Sequence, residues 1–266
     1  MLGFIERPAT VWGPSWTLPV GGVSASVSTR FGGLSQGAFA SLNLGFFTGD
    51  EPARVRRNRE RFAATAGFDP RRAIAPHHVH GTDVVAVDAT AVPPEGILAP
   101  HPTLRADGLV TTTPRLALLV GAADCAPVFL ATRDGSAVAI AHAGWRGTLA
   151  GVVGKAVAEL CRRADCTPSR LTAAIGPCIG PCCFEVGEDV ATAFARRLPG
   201  AVRRVGVGVK PHVDLAAAIA RDLRDAGVPG VPTPPPCTRC RSDEFFSHRS
   251  GAGVAVGRML AAVWRD

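Results

Sequence analysis

Hydrophobic and polar positions along this chain follow two periods. At 23–29 (Val-Ser-Ala-Ser-Val-Ser-Thr) they alternate, the two-residue repeat of a half-buried strand, and the run breaks at Arg30-Phe-Gly-Gly33 in a turn. Residues 51–66 switch to helical spacing, with Pro52 in the first turn and Val55, Phe62 and Ala66 toward one side. Short strand-like runs follow at 84–87, 109–112, 116–120 and 138–141, several apolar on both faces. The clearest helix is 149–161, where Leu149, Val152, Val153, Ala156, Val157 and Leu160 recur at three- and four-residue steps behind Thr148 as N-cap. A strand is predicted at 171–175, a helix at 188–198, a strand at 202–209 and a helix from Asp214, its cap, to 226. A Pro-rich connector, 228–236, then leads to a predicted final helix ending near Trp264. No internal repeat and no long linker interrupts this order, so the pattern predicts one domain over 1–266.

Composition agrees with a folded chain: 47% of the 266 residues are apolar and 19% charged, far from the charge-rich composition of disorder. The first twenty residues lack a basic start and an unbroken apolar run, and Glu6 and three prolines interrupt them, so no export signal is expected. The longest apolar stretches, such as 116–123, fall far short of the ~20 residues that cross a bilayer. Eight cysteines without an export signal point to thiols, metal ligands or catalysis in a reducing cytoplasm rather than to a disulfide framework. The net charge of +7 suits an anionic small molecule as well as nucleic acid. The basic run 54–61 lacks aromatic platforms, so it reads as a solvated helix face and no nucleic-acid partner is expected.

Candidate chemistry concentrates at three places. His77, His78 and His80 fall within four positions ahead of a strand. The apolar run 116–123 ends on Asp124-Cys125, a carboxylate and a thiol that are costly to bury without partners. The run 137–148 carries His142 at a strand end, then Gly144 and Arg146 at the start of a helix, where backbone N–H groups and a guanidinium favour anions. His80, Cys125 and His142 could converge, and a His, Cys, His set suits zinc with a fourth position left for water. Against this stand plainer readings: a hydrogen-bonded core histidine, a free buried cysteine and a solvated turn arginine.

The runs 78–81 (His-Val-His-Gly), 123–127 (Ala-Asp-Cys-Ala-Pro), 142–148 (His-Ala-Gly-Trp-Arg-Gly-Thr), 175–180 (Ile-Gly-Pro-Cys-Ile-Gly) and 245–249 (Phe-Phe-Ser-His-Arg) resemble the signatures of the multicopper polyphenol oxidase (laccase) family, also called the peptidoglycan editing factor or purine nucleoside phosphorylase family. Upstream, 29–33, 41–45, 49–50 and 58–59 resemble its N-terminal elements. The resemblance implies an α+β fold of mixed β-sheets flanked by α-helices. It implies that His80, Cys125 and His142 bind one zinc ion and that the site acts on purine nucleosides. Phosphorolysis of adenosine, inosine and methylthioadenosine is the implied activity, with adenosine deamination beside it. Arg30, Asn43, Arg59 and Arg146 fall on family motif positions and are candidates for gripping phosphate or substrate. Three positions depart from the pattern: His78 stands where Gln is usual, His248 where Tyr is usual, and the threonine common before Gly257 is absent.

Copper is the less favoured metal, because a trinuclear copper centre needs several His-x-His pairs and His78-Val-His80 is the one this chain has. For deamination a proton shuttle is required, and Asp124 is the candidate beside Cys125. Rival classes are a hydrolase with Cys125 as nucleophile and His142 as base, which fits editing of peptidoglycan precursors, a copper-dependent polyphenol oxidase, and a zinc-stabilised interaction protein. A monomer or small homo-oligomer is expected. Cys237-Thr-Arg-Cys240, with Cys178, Cys182 or Cys183, offers thiolates for a second, structural zinc; long loops and irregular spacing weigh against it.

Overall fold

Strands that are apolar on both faces need cover on both faces, and the chain supplies it in four layers. The computed structural model describes residues 4–6, 11–14, 22–204, 209–230, 234–251 and 255–266. Strands and helices are numbered in chain order. One mixed sheet has the order β1 (Phe4–Glu6), β2 (Val11–Pro14), β3 (Val23–Ser28), β13 (Met259–Arg265), β7 (Ala117–Ala122), β4 (Ala73–Ile74). The other has the order β10 (Leu171–Ile175), β8 (Ala126–Thr132), β9 (Val138–Ala143), β6 (Gly108–Thr111), β5 (Val84–Ala86). Pairing is antiparallel except for β4 with β7 and β5 with β6.

The two sheets face each other across a core that includes Val27, Leu118 and Val120 from the first and Leu109, Phe129 and Ile140 from the second. The outer face of the second sheet carries Val128, Leu130, Ala139 and Ala141 against α3 (Val152–Ala164) and α5 (Leu215–Asp225). The outer face of the first presents Ala117, Leu119 and Ala262 to Phe62 of α1 (Pro52–Ala66). The result is the α+β arrangement of mixed sheets flanked by helices. No helix among the described residues is long and apolar enough to cross a membrane.

Three expectations change. The 149–161 helix is two: α2 (Trp145–Ala150) ends at Gly151, whose φ of 87° breaks the rise, and α3 begins there. Thr148 is therefore inside α2 rather than a cap. The strand β8 was hidden behind the apolar run before it: 116–127 is one strand, a tight junction and the start of another. The segment ending near Trp264 is not a helix but β13, the strand between β3 and β7. Its Met-Leu-Ala-Ala-Val-Trp sequence is buried throughout, and a short apolar run covered on both faces has no strand alternation to display. The 202–209 strand is seen at β11 (Val202–Arg203), which pairs with β12 (His212–Val213); 205–208 and, in the proline connector, 231–233 lie outside the described residues, as does most of 1–21. Asp214 caps α5 as expected, accepting from the Ala217 N–H at 3.0 Å, and α4 (Glu188–Arg197) matches its prediction within one residue.

Candidate metal centre

Cys125 lies in the junction between β7 and β8, where the chain leaves one sheet for the other, and β8 pairs with β9 so that Pro127 sits opposite His142. The register therefore brings Cys125 and His142 together from positions 17 residues apart. Gly144, which opens α2, passes so close that a Cβ there would sit 2.9 Å from Cys125 Sγ. His80 arrives from the loop before β5 in the left-handed region at φ 58°. Ligand atoms of His80, Cys125 and His142 lie within 4.8 Å of one another, from exposed, half-buried and buried side chains respectively.

The residue that assembles this group is Asp107, which directly precedes β6. Its carboxylate accepts from the backbone N–H groups of His80 (3.1 Å) and Gly81 (2.7 Å), stabilising the left-handed turn. The same carboxylate accepts from His142 Nδ1 at 2.9 Å. That bond leaves Nε2 as the free face of the imidazole. Sequence reasoning missed Asp107, since Arg105-Ala-Asp-Gly108 reads as an ordinary turn. His78 stacks on His142, with ring centroids 4.3 Å apart and planes 18° off parallel. Its Nε2 accepts from the Gly121 N–H at 2.9 Å and Nδ1 faces the Ala106 carbonyl at 3.3 Å. A second triad, His78, Asp107 and His142, is also close enough to hold an ion. Backbone groups already occupy the His78 nitrogens and the Asp107 oxygens, so that triad positions the first and does not compete with it.

Electrostatics follow from this packing. Burial alone would raise the Cys125 thiol, but the neighbouring imidazoles of His142 and His80 hold it down to about 6. Burial opposes charge on His142, yet the Cys125 thiolate and Asp107 raise it to about 9. Burial also opposes the Asp107 charge, and hydrogen bonds from His142 and Gly81 nonetheless bring it to about 2. Without metal, the two shifts act together to favour the thiolate–imidazolium form of the pair. His78 is pushed down to about 3 by burial and by His142, so it is a neutral spacer.

This group forms part of the lining of a cavity of about 430 Å³. Phe46 and Phe47 line it, as do Arg59, Arg258, His77 and His248. Arg59 donates to the carbonyls of Leu44 (2.7 Å) and Ile97 (2.8 Å) and lies over the Phe46 ring. Burial lowers its guanidinium to about 9, which leaves it protonated at neutral pH. Arg258 was not a sequence candidate. Its N–H donates to Asn43 Oδ1 at 2.9 Å, so Asn43 orients the Arg258 backbone from inside the protein rather than lining the cavity.

The other candidates are elsewhere. Arg30 donates to the carbonyls of Ala40 and Ser242 and lies over Phe246. Arg146 is exposed and stacks on Trp145. Asp124 accepts from Thr238 Oγ1 and from the Arg249 N–H, both at 2.7 Å, and does not line the cavity.

Residues 24–266 match the family described as multi-copper polyphenol oxidoreductase laccase. The chain belongs to that family. A relative named purine nucleoside phosphorylase YlmD, from Geobacillus stearothermophilus, is 35% identical over all of this chain and 98% of its own. Purine nucleoside phosphorylase YfiH from Escherichia coli is 37% identical over 94% of this chain and 97% of its own. The crystal structure of the G. stearothermophilus YlmD superposes with a TM-score of 0.89 at 33% identity, covering 100% of this chain and 99% of that one. The family name mentions copper and these relatives are named for purine nucleosides. The donor set of this chain, two imidazoles and one thiolate, suits a borderline transition-metal ion, and the sequence lacks the several His-x-His pairs of a multinuclear copper cluster.

Proposed function

We propose that this chain is a zinc-dependent purine nucleoside phosphorylase acting on adenosine, inosine and methylthioadenosine, with His80, Cys125 and His142 as the metal ligands. The observation that carries the reading is the convergence of those three donors on a cavity that also contains two arginines and two phenylalanines. Relatives named purine nucleoside phosphorylase over nearly the whole chain support it. The donors fit zinc because Asp107 fixes the His142 tautomer and orientation, the support that metal-ligating histidines ordinarily have. When bound, zinc supplies a Lewis acid that polarises an oxygen or nitrogen at the reacting end of the substrate.

In phosphorolysis a phosphate oxygen forms a bond to ribose C1′ while the C1′–N9 bond breaks and its electron pair leaves on the purine. Arg59 and Arg258 hold the phosphate and neutralise its charge. Phe46 and the exposed Phe47 supply aromatic faces for the base. Adenosine deamination at the same place requires a proton to reach the departing amine. Both Asp124 oxygens are already engaged, so we assign this role to His248, one of the imidazoles outside the ligand set that line the cavity.

The test is a base-release assay on the three nucleosides with and without phosphate, together with metal analysis of the same sample. Release that requires phosphate, with ribose 1-phosphate as co-product, is expected. Cys125→Ala is expected to stay folded, lose the metal of this site and lose turnover. Turnover unchanged in that variant excludes the site.

A second reading rests on the thiolate–imidazolium pair itself, which is also the activated nucleophile of a cysteine hydrolase acting on peptidoglycan precursors. Chelation separates the two: it abolishes phosphorolysis and leaves, or raises, a cysteine hydrolase activity.

A further inference from the structure

Four cysteines that the proposed activity does not use meet where two distant loops touch. Cys182 and Cys183 lie in loop 176–186, between β10 and α4, and Cys237 and Cys240 lie in loop 236–246, ahead of β13. Their sulfurs all lie within 4.8 Å of one another. Cys182 and Cys240 are 3.3 Å apart and Cys183 and Cys240 3.5 Å. Those separations are far beyond the ~2.05 Å of a disulfide bond. They approach the ~3.8 Å edge of a sulfur tetrahedron built on Zn–S bonds of ~2.3 Å. Four thiolates, two from each loop, suit a borderline or soft ion such as zinc, whereas a hard cation such as magnesium needs oxygen.

The surroundings are arranged for close approach. Gly180 donates its N–H to Cys237 Sγ at 3.2 Å, and a Cβ at that position would come within 3.1 Å of Cys237 Cβ and 3.3 Å of Cys182 Sγ. Cys178 and Cys237 form a backbone bridge, with the Thr238 N–H donating to the Cys178 carbonyl at 3.0 Å, so the two loops are already in register. The Arg241 N–H closes the C-x-x-C turn onto the Cys237 carbonyl at 3.0 Å. Cys178 itself is buried outside the sulfur cluster, which removes the ambiguity over which cysteines complete the set.

We propose that Cys182, Cys183, Cys237 and Cys240 bind a second, structural zinc ion that clasps loop 236–246 onto loop 176–186. The clasp reaches the candidate catalytic cavity through Asp124. Thr238, inside the C-x-x-C turn, and Arg249 both donate to that carboxylate, Asp124 adjoins Cys125, and His248 beside Arg249 lines the cavity. Arg249 also donates to the Glu185 carbonyl of the first loop at 2.7 Å. Loss of this zinc frees the wall that carries His248 without removing any ligand of the other site.

The experiment is metal analysis of the full chain, purified anaerobically without chelator, as wild type, Cys125→Ala and Cys237→Ser/Cys240→Ser. Two zinc ions per wild-type chain are expected and one in each variant, with X-ray absorption of Cys125→Ala showing a shell of sulfur alone at ~2.3 Å. That spectrum decides the matter even if the double variant fails to fold. Zinc content unchanged in a folded double variant overturns the proposal, as does iron in place of zinc. A Cys125→Ala protein without zinc, or an unfolded-state mass lighter by two hydrogens per bridge, also overturns it. A wild-type chain holding one zinc that Cys125→Ala retains upholds this site and sinks the proposed catalytic one.

Discussion

Asp107 fixes a backbone and a side chain with one carboxylate, holding the His80 turn by its N–H groups and the His142 ring by Nδ1. Asp107→Asn retains an acceptor but no longer balances a charged imidazole. Loss of such an orienting partner weakens metal affinity by roughly 10- to 100-fold, and a competition titration against a zinc chelator reads it. The same substitution has a signature in pH. In metal-free protein the Cys125 thiol is depressed to about 6, so its thiolate is populated above that pH and lost below it. Alkylation of Cys125, followed by peptide mass, is expected to rise through about pH 6 rather than the ~8.5 of an ordinary thiol. In Asp107→Asn the His142 cation is less favoured, and the midpoint moves upward; an unchanged midpoint means that Asp107 does not act through His142. His80, Cys125 and His142 were candidates by residue type and by their places before or after strands, and the family resemblance is what singled them out as one set. Asp107 was not, since only the β6–β9 pairing brings it to His142 from 35 positions away.

Gly151 shows at the level of elements what an apolar period conceals. Leu149, Val152 and Val153 keep helical spacing across the break between α2 and α3, so the sequence reads as one helix. The chain turns there because Gly151 takes φ 87°, with its N–H reaching back to the Gly147 and Thr148 carbonyls. That turn lets α2 follow β9 directly and still places α3 across the second sheet. A side chain in this region costs ~1–2 kcal/mol. Gly151→Ala is expected to lower stability by that amount in urea unfolding, with the slope unchanged; a stability equal to wild type contradicts the assigned backbone. Helices bounded by caps and open on one face, α1, α4 and α5, were readable to within a residue or two. β8 and β13 were not, because both are buried on both sides and a strand covered twice presents the same run of apolar residues as a buried helix turn.

For the molecule as a whole, the four layers leave the candidate centre at one end of the double sheet, where Cys125 passes between sheets and α2 starts. The whole chain carries a net charge of +7, and among the described residues the Arg side chains lining the cavity are Arg59 and Arg258. A positive field raises the local concentration of an anionic substrate and does nothing for a neutral one. Under the proposed reaction the two substrates differ in just this way, phosphate being anionic and the nucleoside uncharged. Salt screens the field, shortening its reach from ~30 Å at 0.01 M to ~3 Å at 1 M. Initial-rate measurements across that range are expected to show KM for phosphate rising several-fold with salt while KM for the nucleoside and kcat hold steady. A parallel rise in both KM values would instead indicate a salt effect on the cavity itself. Insensitivity of the phosphate KM would mean that Arg59 and Arg258 hold phosphate only by contact, with no contribution from the charge of the rest of the chain.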